Sequence, residues 1–291
     1  MSPAIAAAPI SWGVCEVPGW SPPPPAERVL AEMSELGVEA TELGPVGFLP
    51  PEPDALARAL GRHGLRPVGR FLPVVLEPGL GAAAAAEVDA VAAELAAVGA
   101  DVLVFCAVGA GDWEGDGELS GAGWTELGAA LDRVGEIAAA RGLAAAFHPH
   151  AGTLVESREE VEWALAASRV GWCLDTGHLE IGGFDPAAFA GAHARRVVHV
   201  HLKDVDAGLA ARVRSGELSL LEATGRGLFT PLGAGDVAVG AVLAELAAAG
   251  YDGWLVIEQD AVLGADGSTA AGAPPREEVR RSLEFIRGLA T

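Results

Sequence analysis

Side chains able to do chemistry gather at five places in this chain. Glu42 stands in Ala-Thr-Glu-Leu-Gly, His148 and His150 in Ala-Phe-His-Pro-His-Ala-Gly-Thr, and Asp175 and His178 in Cys-Leu-Asp-Thr-Gly-His. His199, His201 and Lys203 follow one another in Val-His-Val-His-Leu-Lys-Asp, and Glu258 and Asp260 in Val-Ile-Glu-Gln-Asp. Each group ends a short apolar run, and five of the 7 histidines fall in three consecutive groups. Strand side chains alternate with period two, so His148 and His150 share a face, as do His201 and Lys203. If that face opens into a common mouth, His148, Asp175, His201 and Glu258 converge from four strands. Two imidazoles and two carboxylates suit a divalent ion such as Mn²⁺, Co²⁺, Fe²⁺ or Zn²⁺. Burying those carboxylates without a cation would be costly, which itself favours a metal. A single His or Asp at a strand end is more often a loop hydrogen-bonder; the clustering argues against that reading here.

Other polar and aromatic residues carry weaker signals. His199 is expected one layer deeper, satisfying the core, and His63 and His193 on helix surfaces. Trp12 could wall a sugar pocket or simply pack. Arg70, inside an apolar run, could bind a substrate hydroxyl or carboxylate, or pair with Glu42. Trp113, Trp124, Trp163 and Trp172 read as packing residues, and Arg276–Arg281 as a solvated helix face.

Short β-like runs alternate with alanine-rich helical stretches along the whole chain. The expected strands are Pro9–Gly13, Val38–Leu43, Arg66–Val75, Val102–Ala107, Leu143–His148, Gly171–Asp175, Val197–Lys203 and Gly253–Gln259. The expected helices are Ala26–Leu36, Asp54–His63, Ala82–Val98, Trp124–Arg141, Arg158–Ser168, Pro186–Arg195, Val237–Ala249 and Glu277–Leu289. Ser157 precedes Glu159 and Glu160 as an N-cap with acidic first-turn residues, and Pro186 sits where a first helical turn accepts proline. Eight strand–helix units with no break in composition argue for one α/β domain over residues 1–291, a (β/α)₈ TIM barrel. A doubly wound sheet is the alternative, but its glycine-rich first turn is missing. The long insertion 206–231 after the seventh strand would lie at the barrel face where active sites form, as a lid.

Composition excludes several classes of function. With 19 Lys and Arg against 40 Asp and Glu, the formal charge of −21 repels phosphate backbones and anionic membranes. No nucleic acid and no membrane is therefore expected as a partner. Hydrophobic residues at 51% and charged residues at 20% describe a globular chain. The start, Met1-Ser-Pro-Ala-Ile, lacks the basic segment of a secretory signal, and the apolar stretch Leu95–Val108 is interrupted by Asp101. Cys15, Cys106 and Cys173 cannot all pair, which fits reduced thiols and a cytoplasmic location.

Pro9-Ile-Ser-Trp, Thr41-Glu-Leu-Gly, His148-x-His-x-Gly-Thr153, Asp175-Thr-Gly-His178, His199-Val-His-Leu-Lys-Asp204 and Trp254-Leu-Val-Ile-Glu-Gln-Asp260 together resemble the xylose-isomerase-like TIM-barrel family of sugar isomerases and epimerases. Within it they look closest to the myo-inosose-2 dehydratases, and the likeness runs in order over nearly the whole chain. The resemblance implies one divalent metal, Mn²⁺ or Co²⁺ first and Zn²⁺, Fe²⁺ or Mg²⁺ next, on His148, Asp175, His201 and Glu258. His148 departs from the ketose epimerases, which carry a glutamate there as one of two opposed acid–base groups, and the His-x-His pattern resembles the dehydratase branch. DNA-repair endonucleases of the same superfamily engage duplex DNA, which the charge of this chain opposes.

The implied reaction is metal-assisted elimination of water from a cyclic keto-polyol through an enediolate, as in inositol catabolism. In that reading Glu258 or Glu42 removes the α-proton, His178 or His150 protonates the leaving hydroxyl, and Lys203 steadies the enolate oxygen. His150, Trp12 and Arg70 are the expected substrate contacts. The rivals are a ketose isomerase or epimerase, an eliminase of 3-keto-glycosides, and a sugar-binding barrel without catalysis. The expected partner is a small sugar or cyclitol, and relatives suggest a homodimer or homotetramer.

Overall fold

The computed structural model describes residues 4–15, 17, 20–76, 79–110, 119 and 121–289. Trp113 and most of the loop 109–123 lie outside them. Among the described residues the main sheet has nine strands, all pairs parallel: β1 (Ala4–Ala7), β2 (Ala40–Thr41), β3 (Arg66–Pro67), β4 (Gly69–Val75), β5 (Val102–Val108), β6 (Ala144–Phe147), β7 (Gly171–Asp175), β8 (Val197–Leu202) and β11 (Trp254–Ile257). A short antiparallel ribbon, β9 (Asp204–Val205) with β10 (Phe229–Thr230), stands apart. The sheet order runs β3-β2-β1-β11-β8-β7-β6-β5-β4. Its two ends, β3 and β4, are successive pieces of one run, so the sheet closes into the expected eight-position barrel. Val68 joins the pieces, its N–H donating to Thr41 O and its carbonyl accepting from Asp101 and Val102.

Two clusters of buried residues show how period-two alternation sorts the side chains. Small residues fill the barrel interior, among them Ala6, Ala40, Val68, Val104, Ala146, Cys173 and Val256. The larger cluster, including Phe105, Phe147, Trp172 and Phe189, packs the outer strand faces against the helices. Two residues further along the inward face of each strand, apolar gives way to polar. Ala40 leads to Glu42, Ala146 to His148, Cys173 to Asp175, and Val256 to Glu258. The same alternation carries His199 to His201 in β8. A site at the C-terminal mouth is thus built by extending each strand beyond its apolar plug.

Two expectations are corrected. Pro9–Trp12 is a 3₁₀ turn rather than a strand, and β1 precedes it at Ala4–Ala7. The run Arg66–Val75 is broken at Val68, and the break changes the phase of the side chains. Before it Val68 faces inward; after it Leu72 and Val74 face the helices and Phe71 borders the interior. Such a slip moves a whole face. Gly69 allows it, since a Cβ there would lie 2.4 Å from Val102 O.

The helices fall close to their expected places, from Ala26–Glu35 to Pro275–Leu289. The capping box at Ser157 is complete, with Ser157 and Glu160 serving each other's backbone N–H groups. A six-residue helix, Thr176–Ile181, was not expected and follows directly on Asp175. The insertion 206–231 contains helices Ala207–Arg214 and Leu220–Thr224. None of the described helices is long and apolar enough to cross a membrane.

Candidate metal centre and its cavity

At the barrel mouth a cavity of about 360 Å³ opens above the interior plug. Glu42, His148, His150, Lys203, Glu258 and Asp260 supply its polar lining. Its opposite wall is apolar, with Ile10, Val14, Trp20 and Phe71 joined by Leu220 and Leu221 from the insertion.

Four buried ligand groups meet at the cavity floor. His148, Asp175, His201 and Glu258 each offer an atom within 4.8 Å of the others. His148 Nε2 lies 3.3 Å from Asp175 Oδ2, and His201 Nδ1 lies 3.5 Å from that oxygen and 2.7 Å from Glu258 Oε2. A tetrahedral ion with bonds near 2.1 Å spaces its donors about 3.4 Å apart, which these distances bracket. Asp175 Oδ2, His201 Nδ1 and Glu258 Oε2 are buried and make no hydrogen bond of good geometry. Buried polar atoms are rarely left so, and here they face one point. Two other ligating trios, His148–Cys173–His201 and Glu42–His199–His201, share members with this set.

The outer contacts orient the four candidate ligands toward one another. His148 Nδ1–H donates to Pro149 O at 2.7 Å, leaving Nε2 with its lone pair. His201 Nε2–H donates to Glu42 Oε1 at 2.9 Å, which turns Nδ1 toward the cluster. Glu42 also accepts from His199 Nε2 at 2.8 Å, so His199 supports the layer below as expected. Such partners fix the tautomer and aim of a ligating histidine. Asp175 divides its carboxylate: Oδ1 accepts from His178 N at 2.8 Å, capping the helix Thr176–Ile181, while Oδ2 faces the cluster.

Burial alone would raise the Glu42 carboxyl, but the His201 and His199 imidazoles hold it well below the usual carboxylate range. Burial disfavours the His201 cation, yet the adjoining Cys173 and the Glu258 and Glu42 carboxylates push its pKa well above the ordinary value. Burial, with the nearby Lys203 ammonium, holds His150 and His178 well below the ordinary imidazole pKa. Lys203 is buried but stays charged, because Asp175, Asp260 and Glu258 surround it. Burial lifts Asp260 to about 6 against the pull of Lys203.

The Asp-Thr-Gly-His and His-Leu-Lys-Asp segments lock together. Thr176 Oγ1–H donates to Lys203 O at 2.6 Å and accepts from Lys203 N at 2.8 Å. Gly177 leaves the room Lys203 occupies, since a Cβ there would lie 2.7 Å from Lys203 Cβ. Asp204 is a structural anchor: its carboxylate accepts from Val205 N, Val237 N, Gly233 N and Gly235 N.

Residues 30–289 match the family model described as xylose isomerase-like TIM barrel. The chain belongs to this family. Among its relatives, the rhizopine catabolism protein MocC of Rhizobium meliloti is 36% identical over 277 residues, covering 89% of this chain and 82% of that protein. An inosose dehydratase of Geobacillus kaustophilus is 30% identical over 270 residues, covering 88% and 87%. The fold also matches solved structures. The IolI protein with a bound zinc atom has a TM-score of 0.68 at 14% identity, covering 98% of this chain and 97% of its own. A D-allulose 3-epimerase from Methylomonas has a TM-score of 0.68 at 19% identity, covering 99% and 98%. The chain is an enzyme related to hydro-lyases of the inosose dehydratase type.

Within this family member, the expected site residues divide in two. His148, His150, Lys203, Glu42 and Glu258 line the cavity. Asp175 and His201 lie in its floor, and His178 backs it, its ring stacked on His150 at 3.8 Å and its Nε2 3.1 Å from Lys203 Nζ. Trp12 and Arg70 are not brought to the cavity. The 3₁₀ turn carries Trp12 into the helix layer, where its Nε1–H donates to Glu32 at 2.8 Å. The break at Val68 turns Arg70 outward, where it donates to Glu94 at 2.8 Å and to Gly44 O, rather than pairing with Glu42. Asp260, named with Glu258 as a strand-end carboxylate but given no role in the sequence, lines the same cavity, two residues on and hence on the same face.

Proposed function

We propose that the chain is a metal-dependent dehydratase of a cyclic keto-polyol of the 2-keto-myo-inositol kind. The observation that carries this reading is the convergence of buried ligand atoms of His148, Asp175, His201 and Glu258, three of them without a hydrogen bond of good geometry, at the floor of a cavity of small-molecule size. Relatives named inosose dehydratase support the substrate class. His148, Asp175, His201 and Glu258 hold the ion, Mn²⁺ or Co²⁺ first. Bound there, a divalent cation supplies a Lewis acid for the ketone oxygen.

The chain's own groups do the rest. Lys203 donates to the oxygen on which enolate charge develops, from a buried position where that interaction is strong. His150 donates its Nδ1–H to Ala151 O at 2.8 Å, so Nε2 is unprotonated and suited to take the α-proton. His178, stacked behind, holds the ring of His150. Glu42 is engaged by His199 and His201, Glu258 by the ion and Asp260 by Lys203, which leaves the base role to His150. The protonated His150 then gives its proton to the departing β-hydroxyl, which leaves as water while the carbon–carbon double bond forms. The insertion 206–231 serves as a lid, its Leu220 and Leu221 shielding the cavity from solvent. A small polyol substrate and cysteines outside disulfides fit a cytoplasmic setting.

The test pairs metal content by mass spectrometry with proton NMR of 2-keto-myo-inositol in D₂O. About one divalent ion per chain with loss of water is the expected result. Deuterium exchange with the hydroxyl retained would replace this reading by an isomerase or epimerase. No ion and no exchange after Mn²⁺ or Co²⁺ is added would overturn it.

A further inference from the structure

Lys203 and a divalent ion contend for the same oxygens. The Lys203 ammonium lies 3.5 Å from Asp175 Oδ2 and 3.5 Å from Glu258 Oε2, the two carboxylate oxygens of the four-ligand cluster. Lys203 is 2% exposed, and a buried ammonium stripped of counter-charge is strongly disfavoured. The neutral His178 at 3.1 Å and the Phe229 ring at 5.2 Å cannot replace a carboxylate. Asp260 can. Its Oδ1 lies 2.9 Å from Nζ, the shortest carboxylate contact of Lys203, and its side chain is buried in the same cavity lining.

We propose that Asp260 is a positioning residue that holds Lys203 on its own carboxylate and so releases Asp175 and Glu258 to the divalent ion. Three carboxylates then balance one ammonium and one dication, while Glu42 is held separately by His199 and His201. The pairing also fixes the ammonium at the cavity wall, where an enolate oxygen can receive its hydrogen bond. The inference rests on the metal-dependent reading above but not on the reaction assigned to it.

The experiment is an equilibrium titration of the metal-free chain with Co²⁺, followed by visible absorption without substrate. It compares the native chain with Asp260→Asn, Asp260→Glu, Lys203→Met and the double variant Asp260→Asn/Lys203→Met. Loss of Asp260 alone is expected to weaken Co²⁺ binding by about 10- to 100-fold, the usual effect of losing a partner behind a metal site. Asp260→Glu should recover most of it. The double variant should bind at least as tightly as the native chain, because the competing ammonium is gone, a coupling that two independent sites would not show. Equal affinity for Asp260→Asn and the native chain would overturn the inference. So would a double variant no better than Asp260→Asn, the outcome for a merely structural residue. A native chain that takes up no Co²⁺ would overturn the metal reading and this inference together. Normal Co²⁺ coupling without dehydration of 2-keto-myo-inositol would support it and overturn only the assigned reaction.

Discussion

Gly177→Ala tests how tightly the fold holds Lys203. Gly177 lies in the helix Thr176–Ile181, where alanine is preferred by about 1 kcal/mol on backbone grounds. The new methyl would sit 2.7 Å from Lys203 Cβ and 3.3 Å from both Lys203 Cδ and Val205 Cγ1. Ordinary contact begins near 3.4 Å, so Lys203 Cβ must retreat by roughly 0.7 Å. Overpacking of this kind costs about 1–3 kcal/mol, leaving a net destabilisation of about 1 kcal/mol after the helical gain. Activity should suffer far more. A displacement approaching 1 Å of a group aimed at developing charge lowers kcat by about 10- to 100-fold. Urea unfolding and steady-state dehydration of 2-keto-myo-inositol measure the two effects on one preparation. Native kcat with native stability would refute the claim that Lys203 is seated by this packing. A large loss of stability with native kcat would place the constraint on the fold and not on the lysine.

Two further outcomes follow from the geometry. Asp204→Ala removes the acceptor of four backbone N–H groups and should cost about 3 kcal/mol in urea unfolding, with a loss below about 1 kcal/mol counting against the anchor role. Cation uptake should be pH-dependent, because His201 in the metal-free chain carries a proton well above the ordinary imidazole pKa and the ion must displace it. Co²⁺ affinity should therefore rise with pH, by up to about tenfold per unit while that proton is held, and a flat profile in chelator-competition titrations would refute the exchange.

Much of the site was legible in the chain because strand alternation is a short-range rule. His148, Asp175, His201 and Glu258 each extend an inward-facing row, so their convergence needed only barrel closure. The failures trace to places where backbone phase changes without a compositional mark. Arg66–Val75 reads as one strand-like run, and a single glycine does not announce that Val68 ends one register and Gly69 begins another; the expected place of Arg70 fails for that reason. Pro9-Ile-Ser-Trp has strand-like residues, while the real strand, Ala4–Ala7, is mostly alanine and gives a weak β signal. The helix after Asp175 is hidden by Gly177, a poor helix former retained for Lys203. Its sign was the aspartate three residues ahead of His178, a capping arrangement read only as a ligand. The Lys203–Asp260 pair bridges two strand ends, and spacing along the chain cannot measure that distance.

The divided carboxylate of Asp175 has a consequence for how this sequence can drift. One oxygen caps a helix and the other faces the candidate metal cluster, so selection for folding and selection for chemistry would act on the same side chain through different atoms. A lineage that abandoned the reaction would still need an acceptor for the His178 N–H. Asparagine, serine or threonine would satisfy it, whereas an apolar residue would unravel the turn beneath Lys203. Decay of function at this position should leave a polar trace, and descendants that have lost the activity should be recognisable by an uncharged cap where this chain keeps its aspartate.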